Sequence, residues 1–330
     1  GKKKIYKNKK IYLIGFGKVA PFIAKNLIKI IGEKRIKKGI IISPNYNYSK
    51  STKKILYLKG THPNPSLQSN NSTTRLLNLL KKIQKEDIII SIVTGGGSSC
   101  LSSPLKGISI KDDIILNKLL IHESIEADER NKIRGYFSNV KNGKLAELVY
   151  PSKILNLIVC DDPKNILSSV GSGATIPSKV SKEDTKKLLI KNNLINKIPK
   201  NMRENLKKFV PKNINNFNGK NVENNVIFDN RKFLENFKKI SHANKIRKVF
   251  ICPKILSEDA EISKNNFLEY LNKFKKLRNC LIIFGSEIKI KVKNKNSRGG
   301  RIQHFAALCM SYLSTNYKNF LFLGFSTDGH

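Results

Sequence analysis

Short runs rich in Ile, Val and Leu alternate along the chain with stretches whose apolar residues recur every three to four positions. The first pattern predicts buried strands and the second amphipathic helices. Their alternation predicts a Rossmann-like α/β fold, a largely parallel sheet with helices on both faces. Strands are expected at 11–15, 39–43, 55–59, 87–93, 154–160, 248–252, 279–284, 287–292 and 319–325, and helices at 18–31, 69–84, 110–123, 129–137, 182–189, 231–240, 261–274 and 301–313. Residues 192–225 are rich in Asn, Lys and Pro with weak periodicity and read as a peripheral excursion or linker. A boundary near Ile240 then separates a large N-terminal domain, 1–240, from a smaller second α/β domain, 241–330.

The last expected strand contains Phe320, Leu321, Phe322, Leu323 and Phe325, an apolar run of the kind buried on both faces, and no helix follows it. The second domain is therefore expected to be incomplete at its C-terminus. Gly1 and His330 both look like cut ends.

A length of 330 residues suits two domains, and 39% hydrophobic residues suffice to build cores for both. The charge balance is unusual: 63 Lys and Arg against 24 Asp and Glu, a formal +39. Such an excess raises a nucleic-acid or anionic-membrane partner. The lysines, however, are spread from Lys2 to Lys318 across ordinary strand and helix patterns, with no basic segment interleaved with stacking aromatics. A compositional habit with solvated Lys faces explains this better than a binding surface. The five cysteines lie far apart, with no CxxC pair, which argues against zinc and against a secreted disulfide framework. No apolar run reaches the ~18 residues of a membrane helix. A cytoplasmic location is expected.

Five segments can carry chemistry. Gly15-Phe16-Gly17-Lys18-Val19-Ala20 joins a strand to a helix, a turn whose amides can approach an anion. A dinucleotide site would also need an acid at the end of the second strand. That strand ends in Ser43-Pro44-Asn45. Thr94-Gly95-Gly96-Gly97-Ser98-Ser99 follows the most apolar strand, and three consecutive glycines fit close approach of backbone to phosphate. Cys160-Asp161-Asp162 closes another strand, where a carboxylate is placed to act as base, metal ligand or cap. Asn131, Arg134, Ser138 and Lys141 recur at helical spacing as a cationic face, either solvated or anion-recognising. In the second domain, Glu287, the Gly299-Gly300-Arg301 helix start and Asp328 combine carboxylates with a phosphate-competent Arg.

Taken in order, these segments resemble the type-two glycerate kinases, whose second domain is called MOFRL. The family's G-K-A-A turn is met by Gly17-Lys18-Val19-Ala20, and G-H-P-x-P by Thr61-His62-Pro63-Asn64-Pro65. S-G-G-G-S-A-L corresponds to the segment from Thr94 to Leu101. The helix pattern N-x-x-R-x-x-x-S-x-x-K-x-G-x-L-A corresponds to Asn131, Arg134, Ser138, Lys141, Gly143, Leu145 and Ala146. S-D-V-P is met by Cys160-Asp161-Asp162-Pro163, S-G-P-T by Ser172-Gly173-Ala174-Thr175, and G-G-E by Gly285-Ser286-Glu287. G-G-R-N-Q-E is met by Gly299-Gly300-Arg301-Ile302-Gln303-His304, and T-D-G by Thr327-Asp328-Gly329. The chain departs from the family at Ile302, His304, Ser66 and Asn142.

The resemblance implies transfer of the γ-phosphoryl group of ATP to D-glycerate, giving 2-phosphoglycerate, with Mg²⁺ as cofactor. By the same carry-over, Lys18, Asp161 and Arg301 are catalytic. Gly95, Gly96, Gly97, Ser98, Gly299 and Gly300 hold ATP phosphates, while His62, Asn131 and Arg134 bind the substrate. Glu287 and Asp328 hold the metal. A small-molecule acid, rather than nucleic acid or membrane, is the expected partner, and the oligomeric state is left open, a homodimer included. The rivals are an NAD(P)H-dependent hydroxypyruvate reductase and a basic nucleic-acid-binding protein without catalysis. The reductase lacks its ribose-binding acid, and the binding protein has no use for glycine loops at strand ends.

Overall fold

The computed structural model describes residues 9–123, 125–162, 165–178, 180–208, 217–290 and 299–325. The chain divides into two compact units, 1–228 and 229–330. In the first unit the strands are β1 (Ile11–Phe16), β2 (Ile36–Ser43), β3 (Ile55–Lys59), β4 (Ile88–Val93), β5 (Lys153–Cys160) and β6 (Val222–Asp229). They form one six-stranded sheet in the order β3-β2-β1-β4-β5-β6, and the β1–β2, β1–β4, β2–β3 and β4–β5 pairs are all parallel.

The period-two geometry of a strand puts successive residues on opposite faces, and along β1 and β4 both faces are buried. On β1, Tyr12, Ile14 and Phe16 face the core that includes Leu76 and Leu80 of α2 (Leu67–Leu80). Leu13 between them faces Ala20 and Ala24 of α1 (Ala20–Ile31). Helices thus cover both faces, as the alternation predicted.

After β4 comes a single turn, α3 (Gly97–Cys100), and then α4 (Ile110–His122), α5 (Ala127–Tyr136) and the short α6 (Lys144–Leu148). Between β5 and β6 lie α7 (Lys182–Lys191) and α8 (Lys200–Lys208). Helix α4 starts at a capping box in which Ser109 and Asp112 satisfy each other's backbone amides. Residues of α4, α5, α7 and α8 enclose a core of their own around Leu116, Leu120, Ile133, Leu189 and Met202.

Part of that core corrects the linker expected at 192–225. Leu194, Ile198, Met202 and Leu206, at spacings of four, are all buried, and β6 adds a sixth strand beside β5. The abundant Asn and Lys concealed a narrow apolar stripe that still suffices to dock a helix.

The second unit holds α9 (Asn230–Ala243), β7 (Lys248–Ile251), α10 (Ala260–Asn272), β8 (Cys280–Ile283) and α11 (Arg301–Asn316). β7 and β8 pair in parallel. Helix α9 belongs wholly to this compact unit, which starts at Asp229. Two expected strands do not form among the described residues. At 287–292, the described residues up to 290 make one isolated bridge, Asp259 with Lys289, and the rest lie outside the described residues. Residues 319–325 have no strand partner among the described residues, and Leu321 is 90% exposed. Apolarity alone does not make a strand where no ladder accepts it. All five cysteines are unbridged. No described helix is long and apolar enough to cross a membrane.

Candidate active site

The chain leaves β1 to build β2 and β3 on one side, then returns to place β4 on the other side of β1. Loops leaving the C-terminal ends of β1 and β4 therefore diverge at the switch point of the sheet, where open α/β folds bind ligands. The two glycine segments found in the sequence are these two loops.

They lock onto each other. The Gly17 amide donates to Ile42 O at 3.0 Å and the Lys18 amide to Gly95 O at 2.8 Å. Ser43 Oγ and Asn45 Nδ2 both donate to Lys18 O at 3.3 Å. These bonds occupy the amides of Gly17 and Lys18, so this part of the turn is a backbone staple. Its chemical contribution is the half-buried Lys18 side chain. The place of a ribose-binding acid is taken by Ser43 and Asn45, which hold the same staple.

The second loop is the open one. Among the described residues, no backbone carbonyl accepts a hydrogen bond from the amides of Gly95 or Gly96. Gly96 lies in the left-handed region at φ 80°, and a Cβ there would sit 2.8 Å from His62 Cδ2 and 3.1 Å from Lys18 Cγ. A Cβ on Gly95 would collide with Asp161 Oδ2, at the end of β5. Glycine is thus required at both positions for a physical reason: three functional side chains close directly over the backbone. The His62 loop is itself pinned, since Asn117 Nδ2 donates to Pro63 O at 3.1 Å and to Asn64 Oδ1 at 2.7 Å. The structure therefore brings together Lys18, His62, Gly95, Gly96, Gly97, Ser98 and Asp161. A relay of hydroxyls extends from this loop, with Ser98 and Ser172 Oγ 2.8 Å apart and Ser172 Oγ donating to Asn131 Oδ1 at 2.8 Å. The Asn131 amide also donates to Ser169 O at 3.0 Å, so this buried residue fixes the Ser169–Ser172 segment against the loop.

Beyond Asn131, one helical turn along α5, Arg134 is buried, as is Lys141 in the following turn. Arg134 is pushed down to about 9 by burial first and by the neighbouring Arg130 second, with Asp113 opposing. Burial likewise lowers Lys141, again with Asp113 opposing. Burial pushes Lys144 down too, to about 8, although its ammonium donates to the carbonyls of Gly135 and Tyr136 at the end of α5 and of Ser138 just beyond it. Asp113 was missed in the sequence because Asp112 beside it is a capping residue and the pair reads as one helix start. Asp113 instead turns inward, accepting from Ser102 Oγ at 2.6 Å.

In the second unit, Gly300 caps α11 and its amide donates to Gln303 Oε1 at 3.0 Å. Gly299 precedes it at φ 109°. Arg301 Nη1 donates to Glu287 Oε1, with both side chains about half exposed. Such a pair contributes at most ~1 kcal/mol, so it opens readily for a stronger anion. Glu287, expected to hold metal, is thus engaged by Arg301. Asp328, the other expected metal ligand, lies outside the described residues. Among the described residues no group of three or more His, Cys, Asp or Glu is arranged to hold a metal.

Residues 1–207 match the family described as a domain of unknown function, DUF4147. The chain is 33% identical over 176 residues to a glycerate 2-kinase of Picrophilus torridus, covering 51% of this chain and 40% of that protein. It is 30% identical over 183 residues to a D-glycerate 2-kinase of Thermotoga maritima, covering 55% and 43% respectively. The chain thus matches less than half the length of these curated relatives. The crystal structure of a glycerate kinase from Thermotoga maritima superimposes with a TM-score of 0.75 at 26% identity, covering 94% of this chain and 75% of that one.

Proposed function

The chain belongs to the DUF4147 family, and from that membership we propose that it is an ATP-dependent D-glycerate 2-kinase, a phosphotransferase with an alcohol group as acceptor. The observation that carries the reading is the closure of Lys18, His62 and Asp161 over an open glycine loop at the sheet's switch point.

In the reaction, the C2 hydroxyl oxygen of glycerate forms a bond to the γ-phosphorus of ATP. The bond from that phosphorus to the bridging oxygen breaks, releasing ADP, and the hydroxyl proton passes to Asp161. Such transfers depend on positioning and on positive charge around the moving phosphoryl group. The Gly95 and Gly96 amides, with Ser98, cradle phosphate oxygens. Lys18, held over Gly96 by its stapled backbone, supplies a fixed cation. His62 and Arg134 orient the acid, and Asn131 holds the Ser172 hydroxyl in place. Arg301 is assigned the second cation, carried over from the family motif.

Mg²⁺ is commonly held by one or two carboxylates together with substrate phosphates. The Asp161 carboxylate against Gly95 fits that chemistry, and the resemblance separately assigns metal binding to Glu287 and Asp328 of the second unit. Bound there, the ion would neutralise phosphate charge. The unbridged cysteines suit a reducing compartment, and we place the reaction in the cytoplasm. The test is ADP release on mixing with ATP, Mg²⁺ and D-glycerate. NADH oxidation with hydroxypyruvate, without ADP release, would establish the reductase instead.

A further inference from the structure

We propose that Arg130, Arg134 and Lys141 together form a buried receptor for the carboxylate of the acceptor. This inference rests on the kinase reading above and identifies the part of the site that selects acids over neutral alcohols. The three cations are gathered on α5 and the turn after it. Arg134 is 6% exposed and Lys141 2% exposed. The Nε atoms of both Arg130 and Arg134 are buried and have no hydrogen-bond partner among the described residues. A guanidinium does not shed its proton to escape such a setting, and a buried N–H without an acceptor is unfavourable.

The surroundings do not supply the missing charge. Arg130 and Arg134 are four residues apart on one helix and repel each other. Asp113 is the carboxylate that opposes the burial of both Arg134 and Lys141, and one of its oxygens already accepts from Ser102. The negative end of the α5 dipole would be a structural reason for cations here. That end is already satisfied by Lys144, whose ammonium donates to the terminal carbonyls. Three cations against one carboxylate leave a surplus that an oxyanion would balance, and two guanidinium forks suit a planar carboxylate. The receptor also lies one helical turn from Asn131, whose hydroxyl relay reaches Ser98 of the glycine loop. In a 2-hydroxy acid the carboxylate and the reacting hydroxyl are on adjacent carbons, so an anchor close to the loop is what the substrate requires.

The test measures binding without nucleotide, by calorimetry and thermal melting, for D-glycerate, glycerol and orthophosphate at millimolar concentrations. The wild-type protein should bind D-glycerate and be stabilised by it, and should not respond to glycerol. Lys141→Met should melt at the same temperature as wild type or higher, because one of the buried cations that share the Asp113 carboxylate is gone, yet bind D-glycerate at least ~10-fold more weakly. A purely structural lysine gives the opposite, a lowered melting temperature with unchanged affinity, and that result refutes the receptor. Orthophosphate binding that depends on Lys141, with none for D-glycerate, also overturns it, making the cluster a phosphate site. Should Lys141→Met not fold, Arg130→Met carries the same comparison. Turnover is measured separately. Phosphorylation with an unchanged KM for D-glycerate in Lys141→Met refutes the receptor and leaves the kinase reading intact. Lys141-dependent binding without phosphoryl transfer refutes the kinase reading alone.

Discussion

Replacing Gly96 by Ala adds one methyl group at the point where the glycine loop meets two functional side chains. The backbone there has φ 80°, and an L-residue in that conformation costs roughly 1–2 kcal/mol. For a protein of this size that lowers the melting temperature by about 2–4 °C per kcal/mol. The larger effect is on position. The new Cβ would lie 2.8 Å from His62 Cδ2 and 3.1 Å from Lys18 Cγ, where carbon atoms ordinarily sit ~3.5–4.0 Å apart. The imidazole must therefore retreat by about 1 Å and the lysine stem by about half of that. A misplacement of about 1 Å in a catalytic constellation costs on the order of 10²-fold in rate.

Gly32 provides the control. Its φ of 82° and ψ of 129° lie outside the left-handed well, so a side chain there is strained at least as much as at Gly96, but a Cβ meets nothing within 4 Å. Gly32→Ala should thus lose at least as much melting temperature as Gly96→Ala, while only Gly96→Ala loses kcat, by about 10²-fold, in an ADP-release assay. Equal turnover in the two variants, both folded, would refute the claim that Lys18 and His62 work from positions set by the glycine loop.

Lys18→Ala and Arg301→Ala are each expected to lower kcat by at least ~10²-fold without loss of circular dichroism, as removal of a charge partner of the transition state should. Near-normal turnover removes the residue from the mechanism. Met202→Ala should destabilise the first unit by ~2–5 kcal/mol, because its side chain is fully buried in the helical core. A change under ~0.5 kcal/mol in a denaturant melt would mean α8 is only loosely attached. Burial pushes the Cys100 thiol up to about 12, so at pH 8 it carries almost no thiolate. It should resist alkylation by iodoacetamide until the protein unfolds, as peptide mapping would reveal.

The elements that were legible in the sequence are those whose apolar pattern is strong. The five strands β1 to β5 are rich in Ile, Leu and Val because both faces of the sheet are covered, and each was placed within a few residues of its observed ends. α8 escaped because Met202 and Leu206 are outnumbered by Asn and Lys, and β6 because Glu223, Asn224 and Asn225 interrupt its apolar run. The run at 319–325 misled in the other direction, since hydrophobicity does not specify a ladder partner. Among site residues, the glycine loop and Lys18 were visible as turn chemistry. The role of the first turn was not, because only the structure reveals that its amides are bonded to Ile42 and Gly95. Asp113 carries no local signal, as its contact with the α5 cations joins positions far apart in the chain.

The central claim is tested most directly by following the phosphorus and identifying the product. Purified protein is incubated with ATP, Mg²⁺ and D-glycerate, and the mixture is observed by ³¹P NMR against authentic 2- and 3-phosphoglycerate. The account predicts that the γ-phosphorus signal of ATP gives way to ADP and 2-phosphoglycerate in equal amounts, and that Lys18→Ala abolishes this conversion. Formation of 3-phosphoglycerate would contradict the proposed acceptor position, and ATP left intact while D-glycerate is present would contradict the kinase assignment itself.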